Sequence, residues 1–553
     1  MSTIDTSPEA LSTATAPPPR DEAVTTRATP ATVAWVTSAD HKVIGRMLVG
    51  TALTVLAATA LVGVVLGVER IDGGGTLLDP GAMPQLFTAF RIGLIYGGLL
   101  PLVLGIGVGI VPLQLGARAL AFPRLAAAGF WTWLGGLALV VIALAGNGGP
   151  LGGDGDMVDL FLTGHGVLVI GLAAVAISLA TTVLTTRAPG MRLERVPFFS
   201  WSVLVTALGL VLLLPVVLGA LIYLYVDHRN GRALFGGNAG ISSWLGFAWT
   251  QPTTYLFALP VIGLLAEVAP VTFAKRTPMR GVAYAGLGLV GIAALAGVSQ
   301  RHHLVGWDGG LGDKLQDVVV WAFFLLLPVL GVLLVTAVVG LVAKPTRGER
   351  PNIGAPIVFA FLGTELVVAG MLAGALTNIV DLGLGGTVFE EAALVLVVYG
   401  GVLGALGALA YWTPTWTGYT VPSAPAIGLA GLGLIATALA AGPYLVAGFA
   451  DQPAGAAVYD YGGPSGLWNV LVTAGHALMA LTVFAFVGLV VKAVTGRSEP
   501  AAADPWRGHT LEWATTAPAP VENFVEPPTV RSPEPVYDLR ATPDHGAVEE
   551  QDR

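Results

Sequence analysis

The sequence predicts an all-α integral membrane protein with twelve transmembrane helices. Of its 553 residues, 54% are hydrophobic and only 11% are charged, and the mean hydropathy is +0.75. Soluble domains carry about 25% charged residues, so this chain has too few to cover a water-facing surface. Runs of mostly apolar residues, each long enough to cross about 30 Å of hydrocarbon, recur from residue 46 to residue 494.

Twelve apolar runs follow one another, and each continues for roughly 20 to 28 residues. Within them Leu, Val, Ala and Gly lack the two-residue alternation of a membrane β-strand, so each run is expected to be a helix. The runs begin near Arg46, Leu86, Arg124, Leu160, Ser200, Trp244, Gly281, Leu315, Pro351, Thr387, Ala424 and Gly466.

The basic residues between the runs are unevenly distributed over alternating faces. One set of faces carries Lys42, Arg46, Arg118, Arg124, Arg187, Arg192, Arg195, Lys275, Arg276, Arg280, Lys344, Arg347, Arg350, Lys492, Arg497 and Arg507. The opposite set carries Arg70, Arg229, Arg232, Arg301 and Lys314. By the positive-inside rule, this alternation supports twelve spans and places both termini in the cytoplasm.

The two ends of the chain differ in composition from the membrane domain, which we expect over residues 36–497. Residues 1–35 are rich in Ser, Thr, Pro and Ala and have no apolar core, so they are interpreted as a disordered cytoplasmic tail rather than a signal peptide. Residues 498–553 are Pro-rich and are expected to form an extended cytoplasmic tail.

The chain contains no cysteine. This excludes disulfides, thiolate-held clusters and a cysteine-bridged copper pair within the chain. Any metal would have to be held by His, Met or carboxylate side chains.

Several short motifs occur in a fixed order between residues 38 and 540. They are Asp40-His41-Lys42, Val111-Pro112-Leu113, Ala121-Phe122-Pro123-Arg124, Thr186-Arg187-Ala188-Pro189-Gly190-Met191, Trp201-Ser202-Val203-Leu204, Tyr411-Trp412, Thr417-Gly418, Asp504-Pro505-Trp506 and Thr510-Leu511-Glu512-Trp513. In this order and spacing the chain resembles subunit I of haem-copper cytochrome oxidases. The resemblance implies twelve helices in three arcs, a bacterial plasma membrane, and partners similar to oxidase subunits II or III.

The same resemblance implies two haems and a copper held by six histidines, because imidazole binds both metals without adding charge. Most of those histidines are replaced here. Phe90 occupies the position of one haem ligand, and Ala392 and Leu394 occupy the positions of two others. Gln251 replaces a copper ligand, although the family's redox tyrosine is retained as Tyr255.

Two supporting positions of the family are also changed. The lysine of its proton pathway falls near Val332, and the arginine pair that binds the haem propionates appears as Ala454-Gly455. We therefore expect no haem.

One histidine pair, His302-His303, remains where the family has a copper pair. Counting without gaps from Tyr255 places Arg301 and His302 on the paired positions, whereas a one-residue insertion would place His302 and His303 there. Without a third histidine the pair makes a poor copper site, and the preferred interpretation is two histidines near the surface at a helix end.

An ionised group within a span needs a partner or a wet cavity. Arg91 is read as the only basic residue well inside a span, and we expect it to pair with Glu365, Glu390 or Glu391 across the space left by the haem. The alternative is that Arg91 extends towards an interface.

Other polar residues of the spans have simpler interpretations. Glu267 is expected to be solvated, and His165 and His476 to be hydrogen-bonded core residues. Tyr255, without its histidine partner, is expected to be a packed aromatic residue rather than a catalytic one.

Three functions remain open on this evidence. The preferred interpretation is a cofactor-poor structural or re-purposed subunit of a respiratory membrane complex, that is, a pseudoenzyme. The second is a functional terminal oxidase with haem and copper that reduces oxygen and pumps protons. The third is a proton or small-solute conduit that uses the emptied core.

Overall fold

A computed structural model describes residues 31–541 except 73–76, 80, 301–304, 307, 345–349, 457, 460–463, 497–499 and 525. Twelve helices of this part are long and apolar enough to cross a membrane, which confirms the predicted number and the all-α class. They are α1 (His41–Glu69), α2 (Ala82–Gln114), α3 (Pro123–Ala145), α4 (Gly155–Thr185), α5 (Phe198–Arg229), α6 (Tyr255–Thr272), α7 (Arg280–Val298), α8 (Leu311–Val342), α9 (Ala355–Thr377), α10 (Val388–Thr417), α11 (Ser423–Gly448) and α12 (Ser465–Thr495).

The sixth span differs from the prediction, because it begins at Tyr255 rather than near Trp244. A separate helix, Ile241–Trp249, precedes it. Thr250 is extended between the two, and Pro252 disfavours helical backbone at the residue before it. The apolar run therefore continues through a break in the helix.

Helices α2 and α10 form the centre of the bundle. The most apolar part of each is entirely buried, and α6 is nearly so, whereas α8 and α12 are largely exposed. Glycines allow the central helices to approach closely. A Cβ atom on Gly363 of α9 would lie 2.6 Å from the carbonyl oxygen of Gly400 in α10, which is too close for any side chain.

The C-terminal segment packs against the bundle, unlike the extended tail that we expected. Leu511, Glu512 and Trp513 are buried. The indole nitrogen of Trp513 donates to Tyr411 Oη at 3.0 Å, and that of Trp506 donates to the Tyr411 carbonyl at 2.9 Å. These tryptophans supply the apolar surface that holds the segment in place.

The N-terminal end is described only from residue 31. Residues 31–36 form a short helix, Ala31–Val36. The rest of the predicted N-terminal tail, residues 1–30, lies outside the described residues.

Candidate functional site

The three positions that the resemblance assigns to haem ligands lie within the packed core. Phe90 is completely buried, and its ring meets that of His476 edge to face with centroids 5.3 Å apart. Ala392 and Leu394 are also buried. None of the three side chains carries an atom that can coordinate iron.

Gln251, which the resemblance places at the position of a copper ligand, is held by hydrogen bonds and close packing. Gln251 Nε2 donates to the carbonyl of Ala393 at 2.9 Å, and Tyr255 Oη donates to the carbonyl of Met371 at 3.0 Å. Gly374 lies against both side chains, since a Cβ atom there would be 1.3 Å from Gln251 Oε1 and 2.9 Å from Tyr255 Oη. Tyr255 is therefore a packed aromatic residue with a satisfied hydroxyl.

The space between Gln251 and Leu394 is small. Its cavity of about 20 Å³, which Asn378 and Glu390 also line, has room for about one water molecule. Pockets that hold drug-sized ligands measure about 300 to 1,000 Å³. The donor atoms and the space at these positions do not fit the two haems that the resemblance implies.

Other expected features of the site have different outcomes. His302 and His303 lie outside the described residues, so the copper interpretation stays a prediction. Val332, near the position of the family's proton-pathway lysine, is a buried apolar residue of α8.

Two ion pairs lie side by side where α1, α2 and α10 meet. Arg91 Nη2 lies 3.1 Å from Glu390 Oε1, and Arg70 Nη1 lies 3.2 Å from Glu391 Oε2. The ring of Phe87 lies near both guanidinium groups, with its centroid 4.7 Å from Arg91 Cζ and 5.8 Å from Arg70 Cζ. Each base thus has both a carboxylate and an aromatic face.

Arg70 is the main functional candidate that the sequence reasoning missed, because it was assigned to a loop. It caps the end of α1, yet its side chain is only 1% exposed. It donates to Tyr444 Oη at 3.0 Å and also to the carbonyl of Ala454, one of the two residues at the position of the family's propionate-binding arginines. Arg70 follows the last residue of α1, so it is buried without lying well inside a span, where Arg91 was expected to be the only base. The sequence did contain a signal for Arg70: Glu390 and Glu391 are adjacent carboxylates, and Arg91 can pair with only one of them, so the other needs a second base.

Glu365 does not border the core, contrary to expectation. It lies on the exposed face of α9 and forms no hydrogen bond or ion pair with the described residues. The reason is helical geometry, because Gly363 faces α10 and a residue two positions later is rotated by about 200°.

Three further buried side chains were assigned on the sequence alone. Glu267 is buried rather than solvated, and its carboxylate accepts the backbone N–H of Phe198 at 2.8 Å. His476 is hydrogen-bonded, with Nδ1 2.8 Å from Tyr399 Oη. His165 stacks on Trp249 at 6.0 Å between ring centroids, and neither ring nitrogen has a hydrogen-bond partner among the described residues.

A second polar cluster lies at the opposite end of α10, where the C-terminal segment docks. Glu512 Oε1 accepts hydrogen bonds from Gln114 Nε2 at 3.0 Å and Trp412 Nε1 at 3.1 Å. Burial raises the pKa of the Glu512 carboxyl above its ordinary value. Glu534, further along the segment, lies 3.3 Å from Arg280 Nη1. This cluster fastens the segment to the bundle.

Comparisons with known proteins agree with this architecture. The family model described as cytochrome C and quinol oxidase polypeptide I matches residues 43–496. The chain is 31% identical to "Cytochrome c oxidase subunit 1" of Corynebacterium efficiens and 30% identical to the protein of that name from Corynebacterium glutamicum, in each case over 92% of this chain and 89% of the relative. It is 28% identical to "Probable cytochrome c oxidase subunit 1" of Bradyrhizobium diazoefficiens, over 92% of this chain and 78% of the relative. The chain therefore belongs to the family of cytochrome c and quinol oxidase subunit I.

Proposed function

We propose that this chain is a haem-free member of the family that serves as a structural subunit of a respiratory complex in a bacterial plasma membrane. It keeps the twelve-helix scaffold, and Phe90, Ala392 and Leu394 replace the haem-ligating histidines that the resemblance implies. Its partners would be membrane subunits similar to oxidase subunits II or III. In the orientation that the basic residues favour, both termini are cytoplasmic.

The observation that carries the proposal is the packing around Phe90 and Leu394. Buried aromatic and aliphatic side chains take the positions of the axial ligands. The cavity of about 20 Å³ beside Leu394 is too small for a porphyrin. A larger cavity of about 700 Å³ borders Ala89 and Gly93, but none of the described residues that line it is a His or Met that could hold a haem iron. The ion pairs of Arg70 and Arg91 add to this argument, because each of these bases is already paired with a glutamate of the same chain.

The test is a reduced-minus-oxidised absorption spectrum of the purified chain, combined with metal analysis. We expect no haem band and less than one iron per chain. Two haem bands would overturn the proposal and would support the second interpretation, a functional terminal oxidase. His476, in ring contact with Phe90, would then be the first ligand to test, and His476→Ala should remove a haem that it holds.

The third interpretation, a proton or solute conduit, has less support. The two polar clusters lie near opposite ends of α10, at Glu391 and at Trp412. Between Tyr399 and Tyr411, residues 400–410 of this helix are all Gly, Ala, Val or Leu. This stretch of α10 offers no polar side chain that could relay a proton.

A further inference from the structure

Glu365 lies at the middle of α9. It follows Ala355 by ten residues and precedes Thr377 by twelve, which places it about 15 Å from one end of the helix and about 18 Å from the other. The hydrocarbon of a bilayer is about 30 Å thick, so the residue lies close to its centre.

The surroundings of Glu365 form a continuous membrane-facing surface. Phe361, Glu365, Ala369, Leu372 and Leu376 are all exposed, and their spacing places them on one face of the helix. We call this set the Glu365 stripe. Four of its members suit a lipid environment, but the carboxylate does not.

A carboxylate at this depth has few ways to be satisfied. Lipid headgroups lie about 15 Å away, and carboxylates inside a span are found paired or facing a polar cavity. Glu365 has neither among the described residues, whereas Glu390 and Glu391 are both held by arginines. A partner from outside the chain would satisfy it.

We infer that the Glu365 stripe is the docking surface for a transmembrane helix of another subunit, which presents a basic side chain at mid-membrane. Ala369 is one turn from Glu365, and such a small residue lets a second helix approach closely. Charge complementarity favours Arg, Lys or protonated His on the partner.

A second copy of this chain is a poorer partner. Apart from Arg91, the described bases within the spans lie near the ends of their helices, and Glu390 already holds Arg91. His165 and His476 lie near the middle of their helices but are completely buried, so a second copy would present no exposed base at this depth. The inference rests on the proposed function only in requiring a complex, and the haem spectrum tests that function separately.

The experiment uses the full chain in its native membrane, with a photoreactive amino acid at Ala369. We expect a crosslink to a membrane protein that carries a basic residue at mid-span, and at least a tenfold loss of its yield in Glu365→Leu. Asp308→Leu, which removes an exposed carboxylate outside the spans, should leave the yield unchanged.

The decisive part of the experiment exchanges the charges of Glu365 and the partner's basic residue. Glu365→Lys should abolish the crosslink, and replacement of the partner's base by Glu should restore it. Crosslinks to lipid only or to a second copy of the chain, an undiminished yield in Glu365→Leu, or no rescue by the swap would each overturn the inference.

Discussion

The guanidinium of Arg70 and the carboxylate of Glu391 form an ion pair between the end of α1 and the start of α10. Their side chains are 1% and 2% exposed, and Arg70 Nη1 lies 3.2 Å from Glu391 Oε2. Tyr444 and the Ala454 carbonyl accept further hydrogen bonds from the guanidinium. Desolvation of such a pair is costly, and these additional hydrogen bonds help to offset it.

Removal of only one member of this pair should be strongly destabilising. Arg70→Met leaves an unpaired carboxylate at Glu391, and we expect a loss of about 3 to 5 kcal/mol in the free energy of unfolding. The double variant Arg70→Met Glu391→Leu should lose clearly less, because no charge is left unpaired. Unfolding in mixed micelles, followed by circular dichroism, measures both. Additive losses would show that the two residues do not interact.

The pair of Arg91 and Glu390 can be compared with the Arg70 pair, because it is also an ion pair but its side chains are more exposed, at 12% and 15%. Arg91→Met should also cost more than Arg91→Met Glu390→Leu, but the difference should be smaller than for the Arg70 pair because water screens the charges more. A larger difference at Arg91 would mean that burial does not set the strength of these pairs.

Hydropathy and the spacing of apolar residues were sufficient to predict the twelve spans, because each helix must satisfy its own backbone in lipid. Individual side-chain environments were harder to predict. Arg70, a base at the end of a helix, is buried, whereas Glu365, an acid within a span, is exposed. Both outcomes depend on how helices rotate and cross, which a hydropathy pattern does not specify. The docked C-terminal segment was missed because its composition is that of a flexible tail.

The orientation of the chain is predicted by its basic residues. Reporter fusions after Arg195 and after Lys314 should report opposite sides of the membrane, with the first in the cytoplasm. A phosphatase and a fluorescent reporter fused at the same positions measure this in complementary ways. Reporters on the same side would contradict the alternation on which the orientation rests.

Copper content is predicted to be low, because Gln251 donates to a backbone carbonyl and would be a poor third ligand for His302 and His303. Metal analysis of the purified chain should give less than one copper per chain, and His302→Ala His303→Ala should leave that value unchanged. One firmly bound copper, lost in the double variant, would show a working site.

Docking of the C-terminal segment should weaken as the pH falls, through His509. Burial, with the nearby bases Arg540, Arg280 and Arg276, lowers the pKa of this imidazole from 6.5 to about 3. At a pH between these two pKa values, His509 is protonated in the undocked segment but not in the docked segment. Acidification therefore favours undocking. The buried carboxyl of Glu512, whose pKa is raised, acts in the opposite direction. The contribution of His509 is therefore measured as the difference between the parent and a His509→Gln variant.

The absence of cysteine makes this measurement direct. A single thiol in Ala519→Cys, which replaces a buried residue of the segment, reacts with a maleimide only when the segment undocks. Ala514→Cys, at an exposed position, corrects for the effect of pH on thiol reactivity. From pH 7.5 to 5.5 the corrected rate should rise about tenfold more with His509 than with Gln at this position. Equal pH dependence in the two backgrounds would show that His509 is not kept neutral by docking.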